Sequence, residues 1–337
     1  MRIAFIGAGR WAFTLALLLY HKGKEVKLWE PREDINIDEQ KKKLLTNFPS
    51  DIEFPQGITV TKNLEEVITN ADVIFFAVPA QVLRDALLRI IRLKNEYFRS
   101  KPILVSAIKG LENTTNKRMS QILEEFFSGY KIAVLGGPGI PYEIVRNTPT
   151  ALVVASNDLE TAEFVQSILS SETVRIYTQS DVVGTEIGGA LKNIYAIAGG
   201  ICDGLKFGAN TKAALVTRGL YEMIRFGVAF NANPMTLAGL AGIGDLIVTA
   251  YSSYSRNRLL GEKIAQGMKL EDILRTSSGV IEGLTSVVSA YRLANKMKIE
   301  VPIMEAVYEI LYKNAEISKT IKKLMARPLR AEDKYGQ

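Results

Sequence analysis

The chain has 337 residues, a net charge of +6, 47% hydrophobic and 23% charged residues, the composition of a soluble globular protein with room for two domains. One cysteine, Cys202, and one histidine, His21, exclude an intramolecular disulfide framework and a zinc site built from Cys and His. A His–Asp proton relay would have to use His21, at the predicted end of the first helix where a histidine is usually a surface residue, so the acid or base is expected among Lys, Asp, Glu or Tyr. Lys and Arg are interspersed with Asp and Glu, so charge gives no case for nucleic acid and only leans towards an anionic substrate. The opening MRIAFIGAGRW is not a secretory signal and no run of 18 apolar residues occurs, so neither export nor a membrane span is expected. A lone cysteine suits a reducing cytoplasm.

In chain order, short β-rich runs at 2–7, 25–30, 72–78, 102–108, 131–136, 151–156 and 174–178 read as strands. Most are continuously apolar, as strands buried on both faces are. Helical patterns at 11–21, 80–92, 115–127 and 158–170 fall between them. That alternation predicts an α/β domain with a doubly wound, mostly parallel sheet over residues 1–180. From 184 only helical patterns remain, at 184–201, 211–230, 234–240, 244–250, 255–266, 270–275, 282–297, 302–313 and 315–326. Residues 181–337 are accordingly expected as an all-α domain, with the polar run 326–337 fraying at its end.

The first strand runs into Gly7-x-Gly9-x-x-Ala12, an apolar helix and a second strand ending at Glu30. Gly7 permits the tight turn, Gly9 lets the backbone approach a pyrophosphate, and Ala12 still allows close helix–strand packing. This is the context of a Rossmann dinucleotide site, with the phosphates at the helix N-terminus. Arg10 either pairs with the pyrophosphate or points into solvent. Glu30 stands where an acid accepts the ribose 2′-hydroxyl and repels a 2′-phosphate, which favours NAD over NADP. Arg32 offers a charge to offset that preference, and the bland alternative for Glu30 is a solvated strand end.

Residues 186–204, EIGGALKNIYAIAGGICDG, read as a helix with several glycines around Lys192. Each glycine costs roughly 1 kcal/mol relative to alanine. At about 100° per residue, Thr185, Gly188, Gly189, Ala196 and Gly199 share the lysine's side, and Ile187, Ala190, Ile194, Ile197 and Ile201 lie opposite. A floor without side chains admits a flat ligand or another backbone. Lys192 then either works in that space as an acid or base of lowered pKa, or snorkels outward. Lys109 follows a strand of the first domain at its carboxyl end, where open α/β sheets bind ligands. Asp245, in GIGDL, and Ser255, Arg256 and Asn257, at the start of a helix, are further candidates, the last three as a phosphate cradle.

The segments GAGRWAFTLA, VSAIKGLE, LGGPGIPYEI, EIGGALKNIYAIAGGICDG, FGANTKAALVTRGL, GLAGIGDLIVT, YSRNR, GVIEGL and VPIMEAVYEIL together resemble bacterial NAD(P)-dependent glycerol-3-phosphate dehydrogenase over nearly the whole chain. The resemblance implies a Rossmann domain and an all-helical domain. It implies reversible hydride transfer between NAD(P)H and dihydroxyacetone phosphate, giving sn-glycerol 3-phosphate for phospholipid synthesis. It implies Lys192 as acid/base, with Lys109 and Asp245 in the catalytic set. Substrate contacts fall on Lys109, Gly137, Gly139, Lys192, Asp245, Ser255, Arg256 and Asn257. Cofactor contacts fall on Gly7, Gly9, Arg10, Trp11, Ala12, Glu30, Arg32, Lys109, Pro141, Arg256, Val280 and Glu282. A cytoplasmic homodimer without metal is the expected form.

The chain departs from the family pattern at Arg10, at Ala12 and Phe13, in Glu30-Pro31 after Trp29, and in GPGIP. There Gly139 lacks a hydroxyl that would touch substrate, and Pro141 stands at a cofactor-contact position. Two other readings remain at this point. One is a related reductase of a hydroxy or keto acid with a lysine acid, and the other is a non-catalytic nucleotide sensor on the same scaffold.

Overall fold

The computed structural model describes residues 1–46, 48, 52–98, 100–277, 279–329 and 331–332. Of the run expected to fray, 330 and 333–337 lie outside the described residues. Two units emerge, one of Met1–Ile108 with Met119–Val182, the other of Lys109–Arg118 with Val183–Gln337.

The first unit is α/β. Its strands are β1 (Arg2–Ile6), β2 (Glu25–Trp29), β3 (Ile58–Thr61), β4 (Val73–Phe76), β5 (Ile103–Ser106), β6 (Ile132–Gly136), β7 (Thr150–Ala155) and β8 (Val174–Gln179). Its helices are α1 (Arg10–His21), α2 (Ile37–Leu45), α3 (Leu64–Ile68), α4 (Leu83–Tyr97), α5 (Met119–Phe126), α6 (Pro141–Val145) and α7 (Leu159–Leu169). The sheet order is β3-β2-β1-β4-β5-β6-β7-β8. Every pairing is parallel except β6 with β7. Chain order reverses between β1 and β4, the switch point beside which such sheets bind ligands.

Alternation explains why the central strands are continuously apolar. Ile3, Phe5, Val73 and Phe75 join the core on one face, and Ala4, Ile6, Ile74 and Phe76 join the core on the other. The rings of Phe5 and Phe75 stack at 4.9 Å across β1 and β4. Four elements of this unit were not expected from sequence: β3, α2, α3 and α6. The strand β3 is a four-residue edge strand with only alternate residues buried. Helix α2 has nine residues, of which only Ile37, Leu44 and Leu45 are apolar, so its stripe is short. Helices α3 and α6 have five residues each, too short for a period to show.

The second unit is helical: α8 (Val182–Gly204), α9 (Ala209–Ala229), α10 (Pro234–Leu237), α11 (Asp245–Tyr251), α12 (Arg256–Ala265), α13 (Leu270–Thr276), α14 (Glu282–Met297), α15 (Pro302–Tyr312) and α16 (Ile317–Met325). A π-helical turn, Leu240–Gly244, leads into α11. The stretch Pro234–Tyr251 has a mean hydropathy of 1.3 over 18 residues and meets the length and composition of a membrane span. Here it folds as α10, the π turn and α11 in succession, and Leu237, Leu246 and Ala250 join the helical core.

The glycines of α8 serve close backbone packing. A Cβ at Gly200 would stand 1.8 Å from the Arg258 carbonyl oxygen, and one at Gly261 of α12 would stand 1.9 Å from that of Ile197. A Cβ at Gly188 would stand 2.4 Å from the Ala241 carbonyl oxygen of the π turn. Of the floor glycines, Gly188 lies against another backbone, whereas Gly189 lies against the Lys109 side chain and Gly199 against Ala250. The helical penalty is offset by burial that a methyl group would forbid.

A buried acid sits in this core. Glu222 of α9 caps α15, with Oε1 accepting from Ile303 N–H at 2.7 Å and Oε2 from Met304 N–H at 3.1 Å. Oε2 also accepts from the Tyr195 hydroxyl at 3.1 Å. Burial pushes the Glu222 carboxyl up from 4.5 to about 7, against the N–H groups, Arg225 and Tyr195, which favour the charged form. A raised folded pKa means that the native state holds the proton more tightly, so stability falls as pH rises from 4.5 to 7. The loss is of the order of 3 kcal/mol. Glu222→Gln removes the titration. Thermal midpoints at about pH 5 and about pH 8 should therefore differ less in the variant than in the parent, and equal differences would contradict this assignment.

Candidate active site

In the α/β unit the glycine turn is as tight as its spacing implies. Gly7 has φ +113°, and a Cβ there would meet the Ala77 carbonyl oxygen at 2.8 Å. Gly9 caps α1 in an extended conformation with no side-chain hydrogen bond, and no acidic residue lies in the first turn. A Cβ added to Gly9 meets nothing within 4 Å. The positive end of a 12-residue helix thus faces space that one side chain would fill. This fits a dinucleotide pyrophosphate. Ala12 is fully buried, Arg10 and Trp11 are half-buried, and His21 is exposed at the far end of α1.

Glu30 is 1% exposed, not a solvated strand end. Arg32 embraces its carboxylate, Nε to Oε1 at 2.8 Å and Nη2 to Oε2 at 2.9 Å, and its backbone N–H reaches Oε1 at 3.1 Å. The hydrogen bond to Glu30 is the main cause raising the Arg32 pKa. Gln40 donates to the Ala8 carbonyl oxygen at 2.7 Å, tying α2 to the glycine turn. Near β6, Gly137 has φ +96°. A Cβ at Gly139 would come within 2.8 Å of the Trp11 ring, so the indole fills the space that a longer residue needs. Pro141 is the first residue of α6.

In the helical unit three predicted residues meet. Lys192 Nζ donates to Asp245 Oδ1 at 2.7 Å, and Lys109 Nζ donates to Oδ2 of the same carboxylate at 2.5 Å. Lys192 is 7% exposed and Asp245 1%, so the lysine does not snorkel outward. Lys109 follows β5 in sequence, yet its segment groups with the helices, where the ion pair to Asp245 and packing on Gly189 hold it. A Cβ at Gly189 would lie 3.4 Å from Lys109 Cγ.

Thr249 is a member that sequence reasoning missed. It accepts from Lys192 Nζ at 2.8 Å and donates to the Asp245 carbonyl oxygen at 2.6 Å. Its spacing of four from Asp245 on a helix was the available signal. Burial lowers the Lys192 pKa from 10.5 to about 8; Asp245 opposes the shift and Lys109 adds to it.

Ser255 caps α12, accepting from Arg258 N–H at 3.2 Å. The Asn257 side chain is engaged inside the unit, donating to Asn193 Oδ1 at 2.8 Å and accepting from Gly283 N–H at 2.9 Å. It braces α12 against α8 and α14, so what this residue can offer a ligand is its backbone at the helix start. Arg256 begins α12 beneath Gly279, whose added Cβ would lie 2.7 Å from the guanidinium. Val280 is exposed in the same loop, and Glu282 starts α14.

A glycine turn on a doubly wound sheet, with a helical unit burying a lysine on a shared carboxylate, defines a Rossmann-fold oxidoreductase of the nicotinamide-dependent class. Residues 2–162 match the family described as NAD-dependent glycerol-3-phosphate dehydrogenase N-terminus, and residues 181–322 match its C-terminus. The glycerol-3-phosphate dehydrogenase [NAD(P)+] of Thermoanaerobacter sp. (strain X514) is 41% identical, covering 98% of this chain and 99% of its own. That of Halothermothrix orenii is 43% identical, covering 97% and 95%. The crystal structure of glycerol-3-phosphate dehydrogenase from Coxiella burnetii superposes with a TM-score of 0.90 at 32% identity, covering 97% of this chain and 99% of that one. The chain belongs to the NAD-dependent glycerol-3-phosphate dehydrogenase family.

Proposed function

We propose that this chain interconverts dihydroxyacetone phosphate and sn-glycerol 3-phosphate with NAD(H) as the favoured cofactor. The observation that carries this reading is the buried Lys192–Asp245–Lys109 cluster. The nicotinamide, when bound, supplies or accepts the hydride. Reduction of the carbonyl leaves an alkoxide that needs one proton. Lys192, with a pKa of about 8, is mostly protonated at neutral pH and delivers that proton. Asp245 and Thr249 aim its ammonium, and Lys109 binds the substrate oxygen beside it. Ser255, Arg256 and the Asn257 backbone, at the start of α12, hold the phosphate, using remote binding energy to fix the reacting carbon. Gly137 and Gly139 are further substrate contacts in this reading. The turn Gly7–Ala12 receives the pyrophosphate.

Glu30 accepts the ribose hydroxyls. Its carboxylate already commits the Arg32 guanidinium, and a 2′-phosphate would have to break that pair. We expect kcat/KM with NADH to exceed that with NADPH by roughly tenfold or more. Initial rates of cofactor oxidation with dihydroxyacetone phosphate measure this. NADPH preferred would discard the role of Glu30, and no turnover with either would discard the activity. In the cell, this reaction supplies glycerol 3-phosphate for phospholipid synthesis, in the cytoplasm. The exposed Met235, Ile247 and Tyr251 of the helical unit offer apolar surface for a homodimer.

A further inference from the structure

Ten residues, Lys109–Arg118, leave β5 and return to α5, yet belong with the helical unit. The segment closes on itself. Leu111 and Arg118 form an antiparallel bridge. Glu112 N–H donates to the Lys117 carbonyl oxygen at 3.0 Å, and Asn116 N–H to that of Glu112 at 2.8 Å. Asn116 takes a left-handed φ of 59° at the turn, which asparagine tolerates well. The Thr115 hydroxyl donates to the Glu112 carboxylate.

Beyond Lys109 itself, side chains of two helices hold this strap. Ser289 of α14, fully buried, donates to Asn113 Oδ1 at 2.5 Å, and Arg292 adds a bond to the Asn113 carbonyl oxygen at 3.3 Å. At the other end Arg118 Nη1 pairs with Glu186 Oε2 at 2.5 Å. Glu186 is buried and stands on α8, the helix that carries Lys192. A lysine side chain loses much rotamer freedom when held at one carboxylate. These anchors tie the backbone that carries it to both α8 and α14, which lowers that cost.

The consequence is electrostatic. The charged groups facing Lys192 are Asp245 of α11 and Lys109 of the strap. With Lys109 in place, Asp245 is divided between two ammonium groups. With Lys109 released, the carboxylate belongs to Lys192 alone and a neighbouring positive charge is gone, and both changes favour protonated Lys192. We propose that Glu186 and Ser289 are positioning residues that hold Lys109 on Asp245 and thereby set the proton affinity of Lys192. The kinetic half of this inference rests on Lys192 acting as the acid.

The test uses Glu186→Gln, Ser289→Ala and Arg118→Met, with Arg118→Lys as the conservative variant and Lys109→Met as the reference for full loss. Two readouts are taken. One is the pH profile of kcat for dihydroxyacetone phosphate reduction. The other is the rate of tryptic cleavage at Lys109, Lys117 and Arg118, where those residues remain, in protein that still melts cooperatively. The three anchor variants should move the ionisation near pH 8 upward by roughly half a unit or more, in the direction of Lys109→Met. They should also be cleaved faster in the strap, and Arg118→Lys should restore the profile. Loss of kcat with an unshifted ionisation makes the anchors merely structural and overturns the proposal, as does an unshifted profile in Lys109→Met. Faster strap cleavage, with a parent enzyme that shows no ionisation near pH 8, leaves the anchoring intact and removes the assignment of Lys192 as the acid. Unchanged cleavage removes the anchoring itself.

Discussion

Lys192→Met lowers kcat by about 10³-fold or more while leaving NADH affinity within about twofold of the parent, because a positioned acid and its charge together contribute on that scale. Methionine matches the length of lysine and suits a site that is 7% exposed. The substitution removes the proton donor and leaves Asp245 paired with Lys109, so no uncompensated buried charge results. Thermal midpoint should consequently change little, which separates lost chemistry from lost fold. The proposed cofactor cradle, Gly7 to Ala12 and Glu30, belongs to the α/β unit, and none of it changes. Retention of more than a tenth of parental turnover would remove Lys192 from the mechanism. In the parent, carbonyl reduction should weaken as pH rises through about 8, where Lys192 loses its proton, while alcohol oxidation should gain over the same interval.

Asp245→Asn produces the largest combined loss. Both lysines donate to this one carboxylate. The amide keeps its shape but removes the negative charge between two ammonium groups. Breaking a buried ion pair from one side costs about 3 kcal/mol or more, so the midpoint should fall by several degrees. Turnover should fall as well, since Lys192 is driven towards its neutral form. The pH dependence carries the signature. Lys192 is already lowered in the folded state, to about 8 against 10.5, so native protein binds fewer protons than unfolded protein between those values. Stability from this group therefore rises with pH across that window. In the variant the folded pKa drops further and the window widens downward, so raising pH from neutrality should recover part of the lost stability. Calorimetry at several pH values tests this, and a deficit independent of pH would mean that the carboxylate is not what holds the two charges.

Much of the site was legible in the residues themselves. The turn at Gly7 and Gly9 sits between an apolar strand and an apolar helix, and local backbone demands alone make that pattern informative. The continuous apolar runs of β1 and β4 announced burial on both faces, which is what a doubly wound sheet requires. The elements missed were those whose sequence holds little periodic signal: β3 at an edge, α2 with a polar surface, and α3 and α6 of five residues.

By itself the sequence determined the strand–helix alternation, the helical second half and the short roster of residues able to move a proton, because these follow from local pattern and composition. Only the tertiary structure decided what Gly188 and Gly200 of α8 are for, since they answer to the carbonyls of the π turn and α12. It decided that Glu30 is paired with Arg32 and that the Asn257 amide braces three helices. It also decided that Lys109 keeps company with Asp245 and Lys192 rather than with its own strand. The physical reason is common to all of these. All but the Glu30–Arg32 pair rest on contacts between residues far apart in the chain and brought together by packing, and in every case the energy of a buried charge or a close backbone is fixed by what surrounds it in space.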